Sequence, residues 1–314
     1  MGLERWLPPL LALLGAPLFV GLVNRTKALL AGRRGPPLLQ LYFDLAKLLR
    51  KGAVYSGTTT WVFRAAPILT LAGGVVVALL VPLGGMAAPL SFPGDLVLLV
   101  GVLALIRFAT VLAALDTGSA FEGMGASREV QFATFVEPTL LLGLAALGRA
   151  TAASGSDGLP PYSLAALAHG AGPAAWLTHG PALALLCGAF GLVHLAENCR
   201  IPFDDPETHL ELTMIHEVQI LDHGGPDLAF LLYGAAVKLW VFAALLVNLV
   251  VPVRGGVAVE LLAALLGMAG VAVLTGVVES SMARLRLLRL PQLLVGATAL
   301  SALAAILTLS GGAP

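Results

Sequence analysis

The 314-residue chain has little charge: Asp, Glu, Lys and Arg make up 11% of it, against about 25% in a soluble domain. So few ions cannot cover a water-facing surface. Eighteen basic and eighteen acidic residues cancel to a net charge of zero, which removes the basic excess that nucleic-acid binding draws on. Cysteine is scarcer still. Cys187 and Cys199 are the two in the chain, and no C-x-x-C occurs. An iron–sulfur cluster takes about four thiolates, so this chain alone is expected to hold none, and both cysteines read as small buried hydrophobes. There is no G-x-x-x-x-G-K-[ST] phosphate loop, and Gly123 and Gly125 of GMGAS follow no strand. The opening MGLERWLPPL has neither the basic start nor the small-residue cleavage site of a signal peptide, so the first apolar run is expected to stay as a membrane span.

What the chain has in quantity is apolar surface. Hydrophobic residues form 58% of it and its mean hydropathy is +0.92. Eight apolar segments stand out, at 7–24, 61–82, 95–115, 132–149, 180–197, 226–252, 257–279 and 290–310. Each is close to the ~20 residues that a bilayer requires. A spanning segment must satisfy its own backbone, and these runs are too long for barrel strands. The expected fold is an all-α integral membrane protein, one polytopic domain over 1–314, with eight transmembrane helices.

Lys and Arg orient it. With both termini on one side, the connections after spans 1, 3, 5 and 7 carry thirteen basic residues and the other side carries three, Arg5, Arg149 and Arg254. The basic loops are therefore expected in the cytoplasm of a prokaryotic cell and both termini outside the inner membrane. PPLLQLYFDLAKLLRK (36–51) follows the first span, with Leu38, Leu41, Leu45, Leu48 and Leu49 at 3, 4 and 7 spacing. That stripe predicts an amphipathic helix lying in the cytoplasmic interface.

Glu137 and Lys238 fall inside predicted spans, where a charge costs about 2.5–3.5 kcal/mol and marks function by default. Arg107 and Glu260 are expected to snorkel to the rim or pair at helix ends, where a charge reaches water cheaply; the same reading stands for Glu279 beside a functional one. The acids also gather. AENCRIPFDDPETHLELTMIHE (196–217) holds Glu197, Asp204, Asp205, Glu207, Glu211 and Glu217, six of the chain's eighteen, beside Arg200. Carboxylates held close disfavour one another's ionisation, and Glu207 and Glu211 share a helix face by spacing. Ile201, Phe203, Leu210, Leu212 and Met214 run between them, so the stretch is expected to fold into a protein wall as a proton-accepting chamber. The spacing of His209, Glu211 and His216 matches no recognised metal-ligand pattern, and no metal is expected.

Three islands carry a resemblance. RRGPPLLQLYFDLAKLL (33–49), EGMGASREVQFATFVEP (122–138) and AENCRIPFDDPETHLEL (196–212), with the tail ARLRLLRLPQL (283–293), resemble the eight-helix membrane subunit that joins the two arms of respiratory NADH:quinone oxidoreductase, complex I. They are also similar to its counterpart in membrane-bound nickel–iron hydrogenases of the formate hydrogenlyase type. Thr134, Phe135 and Val136 precede Glu137 where the quinone enzyme has S-Y before Glu, and His209 and Gln219 stand where it has acids. Those departures point to the hydrogenase-type branch. The resemblance implies a subunit that binds no cofactor itself. Its partners would be a hydrogenase-like large subunit with a nickel–iron site, a small subunit with iron–sulfur clusters, and antiporter-like membrane subunits. It further implies that Glu197, Arg200, Asp204, Asp205, Glu207 and Glu211 form a coupling loop and that Glu137 is the first buried acid, with Glu217 and Lys238 added here as proton or charge-coupling residues. Arg33, Arg34, Asp44 and Lys47 would lie at a docking surface, with Arg284 and Arg286 of the tail. A quinone site, or a stand-alone ion transporter, are the alternatives; the second usually shows paired repeats with broken helices, and no such pair is visible.

Overall fold

The computed structural model describes residues 3–152, 158–160, 162–204, 214–253 and 255–310. In chain order its helices are α1 (Leu7–Leu30), α2 (Gln40–Leu49), α3 (Trp61–Leu80), α4 (Asp95–Asp116), α5 (Ala120–Thr151), α6 (Leu164–Gly170), α7 (Pro173–Glu197), α8 (His216–Gln219), α9 (Gly225–Val250), α10 (Val257–Ser281) and α11 (Leu290–Ser310). Eight are long and apolar enough to cross a membrane, counting the short 3-10 turns that lead into α1 and α11. They alternate in direction. The amphipathic segment at 36–51 contributes α2, ten residues with none buried, packed on α1 and α9.

Local chemistry sets the ends. Pro8 and Pro9 sit in the first turn of α1, where a missing N–H costs nothing. Thr60 caps α3 by accepting from Val62 N, and its own hydroxyl and N–H reach Asp116 at the end of α4. At the far end, Ser163 caps α6, and Asp95 Oδ1 accepts from Leu164 N at 2.7 Å.

α9 is the central post. Its Trp240 meets Phe19 of α1 edge-on at 5.9 Å, and Gly74 and Gly234 allow α3 to approach α9 closely. Gly21 of α1 is required by a close approach of another kind, because any Cβ there would strike the carbonyl of Leu38 in the connection to α2. The outer faces carry exposed Leu14, Ile68, Phe108, Leu177, Leu262, Leu266 and Leu274, an apolar exterior on a scale that a soluble monomer does not present.

Three spans are longer than hydropathy suggests. The first and fifth start or end several residues beyond the apolar run, and α5 begins at Ala120 rather than at 132. Its first three turns carry Glu122, Arg128, Glu129 and Gln131, which lower the hydropathy although Arg128 and Glu129 are paired inside the fold.

Candidate functional site

Inside the bundle, five ionisable side chains from four helices converge. Arg107 of α4 is the hub. Its guanidinium pairs with Glu137 and Glu197, and its Nε lies 3.5 Å from Glu129. Glu129 and Glu137 come from α5, eight residues apart, about two helical turns. Glu197 closes α7, and Lys238 of α9 lies 3.7 Å from its second oxygen. The Arg107 side chain is 9% exposed and that of Glu197 is 5% exposed. Arg107 stands nine residues from the end of α4, about 14 Å by helical rise, so it does not reach a rim. The expectation of a snorkelling Arg107 is corrected here: three carboxylates hold it within the bundle.

Among the described residues, three carboxylates face two cations in this cluster. One negative charge is therefore unbalanced, or one proton is held. Glu137 is its outward member, with 39% of its side chain exposed on the flank of α5. A cavity of about 240 Å³ reaches the cluster from between α1, α2 and α9. Glu197, Arg200, Asp204, His216, Glu217 and Lys238 line its polar wall, and Leu41 of α2 and Leu239 lie on the apolar one.

A second cluster lies nearer the basic-loop side, and a helix terminus builds it. α7 ends on Glu197 with Cys199 N donating to Ala196 O and Arg200 N to Leu195 O, while Cys199 takes φ +49°. This is the paired hydrogen-bond pattern in which a left-handed residue, usually glycine, closes a helix. The reversal sends Arg200 to Glu279 of α10 at 3.2 Å, where Lys27 of α1 also arrives at 2.9 Å. The Glu279 side chain is fully buried, so it does not snorkel; the other half of its expectation, pairing, holds. Glu260 behaves as a rim charge, accepting from Gly255 N at the start of α10. Asp204 then accepts from Ile215 N at 2.9 Å, His216 N at 3.2 Å and Arg284 at 2.8 Å. One buried carboxylate so ties the two ends of the acid-rich stretch to the 283–289 loop, whose Leu285 N donates to Pro202 O. Arg128 of α5 holds Met214 O at 2.7 Å.

Of the residues singled out in the sequence, Glu137, Glu197 and Lys238 enter the inner cluster, Arg200 and Asp204 the outer one, and Glu217 the cavity wall. Asp205, Glu207 and Glu211 lie outside the described residues. Sequence reasoning missed Glu129 and undervalued Arg107. The signal for Arg107 was its place in the middle of an apolar 22-residue helix; that for Glu129 was its spacing of eight from Glu137. Among the docking candidates, Arg33 and Arg286 are exposed, as is Lys47, and Arg34 lends its carbonyl to the Arg25 side chain. Asp44 accepts from Gln40, and Arg284 turns inward onto Asp204. Among the described residues, no group of three His, Cys, Asp or Glu is arranged to hold a metal ion.

Burial pushes the imidazole of His216, in the loop-side α8, down to about 4, and that of His223 to about 4 as well. Both are neutral at physiological pH.

Comparison with known proteins agrees with this architecture. Residues 7–310 match the family described as NADH dehydrogenase (NADHdh). Formate hydrogenlyase subunit 4 of Escherichia coli K12 is 30% identical over 280 residues, covering 87% of each chain. Hydrogenase-4 component C of the same strain is 32% identical over 302 residues, 94% of this chain and 92% of that one. A chain from an archaeal respiratory membrane complex, the membrane-bound sulfane sulfur reductase, superposes with a TM-score of 0.79 over 98% of both chains, at 20% identity; that likeness is one of fold.

Proposed function

Given that the chain belongs to the NADH dehydrogenase family, matched over residues 7–310, we propose that it is the membrane-anchoring and coupling subunit of an energy-converting, hydrogenase-type oxidoreductase complex. It docks peripheral redox subunits on its basic-loop side, which the Lys and Arg bias assigns to the cytoplasm. It passes charge or protons through its interior to ion-moving membrane subunits. Two relatives whose names denote hydrogenase-type assemblies, each matched over most of the chain, support the setting.

One observation carries the coupling role: the unbalanced Arg107 cluster, open to the loop-side cavity at Glu197 and to the bundle flank at Glu137. Buried charges are expensive unless paired, so a group of five is held at a cost that transport explains. A proton arriving from the cavity neutralises the odd charge. Its departure toward a neighbour facing Glu137 restores it. Partner subunits with nickel–iron and iron–sulfur centres would supply the electron chemistry, and antiporter-like subunits would receive the signal. The docking surface would include Arg33, Arg34, Lys47 and Arg286. The cavity wall is rich in ions and excludes Phe203, which is fully buried; that polarity favours a relay over a quinone pocket.

Glu197→Gln tests this in sealed inverted vesicles carrying the whole complex. Assembly on a native gel should persist, while coupled turnover falls about tenfold or more. Normal coupled turnover in this variant would remove the proposal.

A further inference from the structure

A different wedge of the molecule, bounded by α3, α4, α5, α8 and α9, concentrates buried polar atoms that no group among the described residues meets. Glu122 Oε2, Asp227 Oδ2, Gln219 Oε1, Thr70 Oγ1 and both ring nitrogens of His223 are among them. Gln219 is 0% exposed, Glu122 1% and His223 5%. Buried polar atoms in folded proteins are nearly always met by protein or by water.

These atoms form levels leading inward from the loop side. At the rim, His223 lies flat on Phe63 of α3, centroids 3.8 Å apart. Asp222 N donates to Glu122 Oε1 at 3.2 Å, and Asp227 lies in the first turn of α9. One level further in, Gly125 of α5 leaves room for α8 to lie against it, placing Gln219 between Glu122 and Glu129. There a cavity of about 30 Å³ is lined by Thr70, Thr110, Gln219 and His216, and its inner wall is Arg107, Glu129 and Lys238. A water molecule needs roughly 10–15 Å³ of such space with two to four polar partners. Glu122 and Glu129 are seven residues apart, about 10.5 Å of helical rise. That gap is about the length of two or three hydrogen-bonded waters in a row.

We infer that this wedge is a second, narrow hydrated inlet, through which protons pass from Glu122, His223 and Asp227 at the rim to Glu129 in the Arg107 cluster. It is separate from the cavity between α1, α2 and α9, and the inference rests on the relay reading above. The proton balance is simple: a proton taken from cytoplasmic water at the Glu122 carboxylate crosses the waters at Gln219 and Thr70. It ends on the Glu129 carboxylate, whose cluster carries the odd negative charge. His223, neutral, offers one N–H and one bare nitrogen, which suits a member of a hydrogen-bonded wire rather than a store of charge.

The test uses the intact complex in sealed inverted vesicles. Glu122→Gln and His223→Phe, the latter keeping the stack on Phe63, should each lower coupled turnover and proton movement about fivefold with assembly unchanged. His223→Gln, which keeps a hydrogen-bonding group, should recover most of the loss. If both blocking variants behave like the wild type while Glu197→Gln is impaired, the inlet is overturned and the relay stands. If Glu197→Gln is also normal, both fall. Should Glu122→Gln fail to assemble, radiolytic hydroxyl-radical footprinting of the wild-type complex decides. Phe63, His223 and Leu231, the last a lining residue of the small inner cavity, should be labelled well above Leu183, which is buried away from the wedge; labelling no faster than Leu183 overturns the inlet.

Discussion

The two charged clusters are near mirror images in stoichiometry. The inner one sets Glu129, Glu137 and Glu197 against Arg107 and Lys238. The loop-side one sets Lys27, Arg200 and Arg284 against Glu279 and Asp204. Their surroundings differ more than their counts. Asp204 accepts from two backbone N–H groups and pairs with a guanidinium, so its charge joins Ile215, His216 and Arg284 at one point. Among the described residues, the inner carboxylates meet side chains only, and three of them share one arginine. Bonds to backbone tie a carboxylate to the shape of the chain, whereas three carboxylates around one arginine leave one negative charge without a cation of its own. The comparison separates a cluster that shapes from a cluster that can change its charge.

The largest expected effect breaks the inner cluster outright. Arg107→Met leaves three carboxylates facing one lysine, and removing one partner from a buried ionic group costs about 3–5 kcal/mol. Little assembled complex should remain on a native gel. Arg200→Met should be milder, because Lys27 still pairs with Glu279; equal losses in the two variants would erase the distinction between the clusters.

Asp204→Asn probes the shaping cluster. It keeps an acceptor for one N–H but loses the charge-assisted bonds, which are worth about 1.5–3 kcal/mol each. Thermal stability should drop by several degrees, while the proton-to-electron ratio of the surviving complex is unchanged. A changed ratio with unaltered stability would reverse the roles assigned to the two clusters.

Acid titration gives a smaller effect. His216 and His223 have folded values near 4, below the usual value of about 6.5. Between those limits the unfolded chain binds more protons than the folded one. Stability is thus fully present above about pH 6.5 and is lost as pH falls toward 4. The melting temperature should decline over that window, and less steeply in His223→Phe. An unchanged slope would place His223 in a wetter site.

The smallest effect is expected at the surface. Arg33→Glu with Arg34→Glu should weaken retention of peripheral subunits, with the difference from the wild type largest at low salt and smaller at high salt, since exposed pairs are screened. Retention equal to wild type at all salt concentrations would place docking elsewhere.

Much of this was legible in the sequence, and the exceptions have physical reasons. Eight spans follow from apolar runs of bilayer length, and the amphipathic α2 from leucine spacing. Glu137, Glu197 and Lys238 were visible as charges in apolar company. Arg107 was equally visible, but a lone arginine reads alike whether it snorkels or is paired, and its partners come from two other helices. Glu129 was hidden for a related reason: hydropathy scores each residue alone and cannot credit a neutralising neighbour in space, so the polar first turns of α5 fell outside the span. The Asp204 cap was illegible too, since it joins backbone groups eleven and twelve residues away through a stretch with no regular pattern.

The odd charge of the inner cluster is tested most directly by Glu129→Gln. It leaves two carboxylates for two cations, so the complex should assemble and the redox subunits should still turn over. Protons moved per electron, measured in sealed inverted vesicles, should fall close to zero. A ratio equal to that of the wild type would contradict the account.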